Sequence, residues 1–193
     1  MGDAKIIPIS SARRAGAVPA PRTVDEALGI HLDTLFATAR FLCRDVAASE
    51  DLVQETALAA FHGWGELRDP AAARGWLLCI LRRQFLNSRR HDSRRPPVHD
   101  VDLDIDLDIV LDDPNLAYSD PLPDSLERDQ VIDAVRALPP GFAEVVWLSD
   151  ALELAISEIA VALEIPIGTA ASRLYRARRM LRERLGRLRE DSP

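Results

Sequence analysis

Residues 98–130 carry eleven acidic side chains against one basic one, an imbalance found nowhere else in the chain. A run of that charge cannot lie inside a core, so it divides the 193 residues into two parts that must each bury their own apolar surface. From Asp100 to Asp108 acids alternate with aliphatics, a period-2 pattern that read alone suggests a strand. No second tract shows this alternation, and a strand without a partner is unstable, so the expectation is an extended, mobile linker over residues 96–124, continued by Pro114, Pro121 and Pro123. The acids are not an EF-hand loop. Counted from Asp102, Leu107 stands where glycine is required and Asp113 where a bidentate glutamate belongs.

Upstream, residues 1–23 mix Pro, Ala, Ser and Arg without periodicity and read as a disordered leader. Helical spacing then sets in, with Leu28, Leu32, Leu35, Phe36, Ala39 and Leu42 on one face between about Val24 and Cys43. Ser49 is the expected cap of a second helix, followed by Glu50 and Asp51, with Leu52, Val53, Ala57, Ala60 and Phe61 on its buried side. Asp69 and Pro70 open a third, which runs through Trp76, Leu77, Ile80, Leu81 and Phe85 to about His91, before Pro96 and Pro97 stop it. These helices define a compact domain over residues 24–95.

Downstream, residues 125–189 give a second helical domain. Pro139-Pro140-Gly141 separates two helices, and a short apolar helix over Glu158 to Leu163, a turn from Glu164 to Gly168 and a long basic helix from Thr169 follow in helix-turn-helix order. On the last helix Leu174, Ala177, Leu181, Leu185 and Leu188 form one apolar stripe. Thr169, Ser172, Arg173, Arg176 and Arg179 fall on the other side, where they could meet base edges and phosphates in a major groove. The fold class expected is all-α, two small helical domains joined by an acidic flexible linker, the C-terminal one a helix-turn-helix.

The net charge of -7 hides where the positive charge lies. Arg82, Arg83, Arg89, Arg90, Arg94 and Arg95 form one cluster, and a second runs from Arg173 to Arg189. Two separated arginine clusters point to two contacts with a polyanion; a pair of solvated helix faces is the other explanation that charge alone allows. Cys43 and Cys79 lie in apolar helical patterns without ligand spacing, so no metal, disulfide or cofactor is expected. His31, His62, His91 and His99 show no local catalytic signature, and no glycine-rich phosphate loop exists, so an enzyme is not expected. No apolar run approaches the roughly 18 residues of a membrane span. The opening MGDAKIIPISSARRAG also lacks the apolar stretch of a secretory signal, which makes cytoplasmic location the expectation.

Four stretches in order resemble the extracytoplasmic-function (ECF) sigma factors of bacterial RNA polymerase, within the sigma-70 family: LCRDVAASEDLVQET at 42–56, WLLCILRRQFLNSRR at 76–90, RALPPGFAEVVWL at 136–148 and SEIAVALEIPIGTAASRLYRARRMLRERL at 157–185. The resemblance implies a factor that binds core RNA polymerase and directs promoter-specific initiation. It places polymerase binding on Asp51, Leu52, Gln54 and Glu55. Minus-ten recognition and strand opening fall to Arg82, Arg83, Asn87, Arg89 and Arg90, with the loop from Gly63 to Ala72 helping to hold a flipped base. Minus-35 recognition falls to the helix-turn-helix residues named above. Trp64 and Trp76 could stack on bases, although core packing is the stronger expectation for Trp76. An anti-sigma factor is an implied candidate partner, and membrane insertion is not implied.

The chain departs from the family pattern in places. Arg83 stands where Asn is common, Ala170 and Ala171 where an aliphatic residue and Lys are common, Glu164 at a frequent Gly and Ala155 at a frequent Ser cap. The losses at Ala170 and Ala171 leave open an alternative function, a sigma-like decoy that binds an anti-sigma factor without driving transcription. The linker carboxylates either compete with DNA for the arginine clusters or serve as a solvated spacer.

Overall fold

The computed structural model describes residues 20–92 and 128–190; the expected leader up to residue 19 and all of the expected linker lie outside the described residues. Among the described residues the structure is helical and contains no strand. Helix α1 spans Val24–Cys43 and is capped by Thr23, whose hydroxyl accepts from the Glu26 amide at 3.3 Å. The Glu26 carboxylate reaches back to the Arg22 amide at 2.7 Å. Arg44, in a left-handed conformation, ends α1.

Helix α2 spans Val46–Gly63, four residues ahead of the expected start. Its cap is Asp45, whose carboxylate accepts from the Ala48 amide at 2.8 Å. Ser49, expected as the cap, is instead fully buried one turn inside, and its hydroxyl donates to the Asp45 carbonyl. A serine inside a helix commonly satisfies its hydroxyl this way. Phe61 also departs from expectation, being 49% exposed. The buried stripe of α2 runs through Ser49, Leu52, Val53, Thr56 and Ala60. At 100° per residue Phe61 lies about 130° round from the centre of that stripe.

Two short 3-10 turns, Trp64–Glu66 and Pro70–Ala72, lead into α3, Ala73–Asp92. Asp69 caps the second turn through the Ala71 amide at 2.9 Å, in the cap-then-proline order expected. Leu77 and Leu81 on α3 are fully buried, with Leu35 of α1 in the same core.

In the C-terminal half, α4 spans Arg128–Arg136 and α5 spans Pro140–Val146, prolonged by a wide π-type turn over Trp147–Ala151. Pro140 takes the first position of α5, where its missing amide proton costs nothing. Helix α6 spans Ile156–Leu163 and α7 spans Ile167–Glu190, so the connecting turn is shorter than expected and Gly168 lies inside α7. The expected stripe of α7 is buried at Leu174, Ala177, Leu181 and Leu185. Arg178, on the flank of that stripe, holds α7 to the π-type turn by donating to Asp150 Oδ1 at 2.6 Å and Ser149 Oγ at 3.2 Å.

The two halves pack on each other, chiefly α3 on α6. Phe41 of α1 stacks on Trp147 with ring centroids 4.5 Å apart and planes within 8°. The Arg136 guanidinium lies 5.6 Å over the Phe41 ring and donates to the Arg40 carbonyl at 3.1 Å.

Ala155 sits at the cap of α6 with extended backbone but no side chain to accept a hydrogen bond. Only the reciprocal half of a capping box is present, the Ala155 amide donating to Glu158 at 2.9 Å. Ala155→Ser supplies the missing acceptor and is expected to stabilise the fold by about 1 kcal/mol, read as a higher urea midpoint at unchanged slope.

Candidate nucleic-acid interface

The residues expected to meet a partner on α2 separate by burial. Asp51, Gln54 and Glu55 are exposed and share one face. Leu52 is 5% exposed and belongs to the core, so it holds α2 in place and does not present itself to a partner. Two residues that pattern reasoning did not single out for docking complete the exposed face: Leu58, 62% exposed, and Phe61. Counting at 100° per residue places Asp51, Gln54, Glu55, Leu58 and Phe61 within about 120° of one another. An acidic rim beside two exposed large apolar groups is the composition of a protein contact.

The arginines of α3 separate as well. Arg82 and Arg83 turn toward the C-terminal half. Arg82 Nε donates to Glu144 Oε2 at 2.6 Å, and its Nη1 reaches the Leu163 carbonyl at 3.4 Å. Arg83 forks onto Glu164, with Nε on Oε2 at 2.8 Å and Nη2 on Oε1. Asn87 and Arg89, further along, are exposed, and the Arg89 guanidinium lies 5.6 Å over the Phe85 ring. The Arg90 side chain lies outside the described residues. In the loop before α3, Trp64 meets Trp76 edge-on at 5.9 Å, and both pack against the core. Gly63 allows this corner, since a Cβ there would meet the Trp76 ring at 3.3 Å.

On α7, Thr169, Ser172 and Arg176 are half-buried, and Ser172 Oγ donates to the Thr169 carbonyl at 3.1 Å. Arg179 is exposed beside Glu183 at 3.5 Å. Arg173 is only 8% exposed. It stands about 100° from Leu174 at the edge of the apolar stripe, where the fold covers it. Ala170 and Ala171 are buried too, so the start of α7 is embedded over more of its circumference than its stripe suggested.

The titratable groups between the halves follow their surroundings. Burial, then the Glu164 charge, pushes the Cys79 thiol up, and burial does the same for Cys43, so neither favours the reactive thiolate. The Arg83 hydrogen bond holds the Glu164 carboxyl below its usual range. Among the described residues no cluster of three or more His, Cys, Asp and Glu could hold a metal, and no helix is long and apolar enough to cross a membrane.

Comparison with known proteins places the chain in a class. Sigma-70 region 2 matches residues 29–95 and Sigma-70, region 4 matches residues 128–181. The ECF RNA polymerase sigma factor SigL of Mycobacterium tuberculosis is 32% identical over 173 residues, 89% of this chain and 94% of that protein. The ECF RNA polymerase sigma factor SigE of Mycolicibacterium smegmatis is 31% identical over 84% of this chain, which spans 62% of the length of that relative. Among solved structures, the sigma factor RpoE of Bartonella quintana, crystallised with the anti-sigma factor NepR, superposes with a TM-score of 0.62 at 28% identity over 87% of this chain and 98% of that one. CnrH, in complex with the cytosolic domain of CnrY, shares the fold with a TM-score of 0.58 at 20% identity, over 88% of this chain and 89% of that one. The two regions in one chain define a sigma-70-type initiation factor, a class that reads DNA without catalysing a reaction. The chain belongs to the ECF sigma factors.

His31 lies near the junction of the halves, and its pKa is lowered by burial and by the Arg74 charge, against the opposing pull of Glu158. A histidine kept neutral by the fold takes up a proton more readily when unfolded. Its contribution is therefore complete above the ordinary value of 6.5 and is lost as pH falls through it. His31→Gln is expected to flatten the decline in stability of the chain below about pH 6.5, measured by urea unfolding across a pH series.

Proposed function

We propose that this chain docks on core RNA polymerase through the exposed face of α2 and directs initiation at promoters read by its two domains. The observation that carries this is the mixed face of Asp51, Gln54, Glu55, Leu58 and Phe61, apolar in part yet uncovered by either half of the chain. Two large apolar groups held in water beside carboxylates suit a basic partner surface with apolar pockets. Asn87, Arg89 and Arg90 serve the minus-ten strand, where guanidinium planes can hold unstacked bases and follow phosphates, and Arg82 and Arg83 join them once released from Glu144 and Glu164. Thr169, Ser172, Arg176 and Arg179 serve the minus-35 element, with Arg173 bracing the helix from its flank. The factor acts in the cytoplasm, where polymerase and promoters are. An anti-sigma factor is a fitting regulator, because two structural relatives, RpoE and CnrH, were solved with such a partner or a cytosolic domain bound.

The test is run-off transcription with core RNA polymerase and promoter fragments from the host. Discrete start sites that depend on the chain are expected; the absence of both transcripts and polymerase binding would favour the decoy reading. Leu58→Asp should weaken polymerase binding by about tenfold or more in a pull-down titration while lowering the thermal midpoint by only a few degrees, because the side chain is 62% exposed and the cost is one of helix propensity. Asn87→Ala with Arg89→Ala should leave polymerase binding intact and reduce strand opening, read by permanganate reactivity of promoter thymines.

A further inference from the structure

The turn between α6 and α7 gives two isoleucines, two residues apart, opposite surroundings. Helix α6 ends at Glu164, left-handed at φ 56°. The Glu164 amide donates to the Val161 carbonyl at 3.2 Å and the Ile165 amide to the Ala160 carbonyl at 3.1 Å. This is the paired bonding of a Schellman ending, in which the residue after the left-handed position folds back on its helix. Ile165 accordingly packs against the core. Pro166 then fixes the start of α7, its carbonyl accepting from the Ala170 amide at 3.0 Å. Ile167, the first residue of α7, is left in water, 58% exposed.

Among the described residues of the C-terminal half, the other large apolar side chain this open is Val161, at 48%. Val161 lies at the seam between the halves, where a Cβ on Gly75 would meet its Cγ1 at 3.4 Å. Ile167 instead stands at the opening of α7, the part of a helix-turn-helix whose side chains meet base edges in the major groove. The fold restricts which side chains can do so. Ala170 and Ala171 are buried and Arg173 is 8% exposed, while Gly168 has no side chain to offer. Ile167, Thr169 and Ser172 remain over the first two turns. Two of these carry hydroxyls and one is aliphatic. Of the four bases, only thymine presents an apolar group in the major groove, its C5 methyl.

We propose that Ile167 is a specificity-determining residue of the minus-35 contact, reading one thymine through apolar contact with its C5 methyl group. An isoleucine has no donor or acceptor, so against a polar base edge it would displace water and return no hydrogen bond. Against a methyl group it removes apolar surface of both partners from water. The contact therefore selects by what it excludes as much as by what it gains. This role rests on the initiation function above, in which α7 reads the minus-35 element.

Selection from random duplex DNA by the full chain on core RNA polymerase, followed by sequencing, tests the role. Wild type should enrich thymine at one position of the minus-35 site, and I167A should lose that preference while keeping the others. I167Q should move the same position toward adenine, whose N6 and N7 a glutamine amide can grip. Replacing the selected thymine by deoxyuridine removes only the methyl group. That change should weaken wild-type binding about threefold to fivefold by fluorescence anisotropy and leave I167A unaffected. Circular dichroism confirms that each variant keeps its helices. Unchanged base preferences in I167A, or deoxyuridine bound by wild type as tightly as thymine, would overturn the role of Ile167. So would an I167A chain that loses affinity for core RNA polymerase with its base preferences intact, since Ile167 would then be a protein contact. In each of these cases run-off transcripts from wild type leave the initiation function standing. A wild-type chain that neither binds polymerase nor selects any sequence overturns that function and this role together.

Discussion

At Gly75 the backbones of α3 and α6 come so close that one added methyl group would press on a carbonyl oxygen and a valine. The neighbouring contacts depend on that distance. Arg82 and Arg83, two turns along α3, reach Glu144 and Glu164 because the helices are near enough for a guanidinium to span the gap. Arg74, one residue before the glycine, donates to the Leu152 carbonyl across the same seam. The indole of Trp147 meets the Phe41 ring face to face on the far side of the contact. A larger residue at position 75 would keep α3 helical yet press on the Glu158 carbonyl and on Val161 of α6.

The architecture was legible because it is periodic. Stripes at helical spacing located the helices of both domains, and the order short helix, turn, long basic helix survived in α6 and α7. Where a local rule has two candidates, the sequence alone does not choose between them. Ser49 and Asp45 both suit a cap, and the left-handed end of α1 at Arg44 puts Asp45 in position, which no residue count could reveal. Phe61 sits at helical spacing from Val53 and Ala57, which suggests the core, whereas the buried stripe of α2 is continued by small residues, Thr56 and Ala60. Arg178 falls within the arginine cluster of the last helix, yet it holds Asp150, 28 residues earlier, and nothing local signals that partner.

The candidate site was legible in its parts and hidden in its state. Charge clustering located the arginines of α3, but their burial depends on a second domain whose placement no periodicity encodes. Arg83 and Glu164 each depart from the family pattern, one an added cation and the other an added anion. Considered singly, each is a defect: a lost asparagine contact, and a strained turn lacking its glycine. Joined across 81 residues of chain, they become complementary.

The seam joins the halves through ion pairs as well as through apolar contact. A wholly apolar interface over α3 would favour closure and leave exposed apolar surface in the open form, with a risk of aggregation. Carboxylates avoid this, since both partners of each pair are hydrated when apart and a phosphate offers the arginines a similar bidentate geometry. The cost of parting Arg83 from Glu164 is small because both are substantially exposed, whereas parting Arg82 from Glu144 uncovers a pair largely shielded from water. The outer pair is therefore the weaker tie across the seam and the inner pair the stronger.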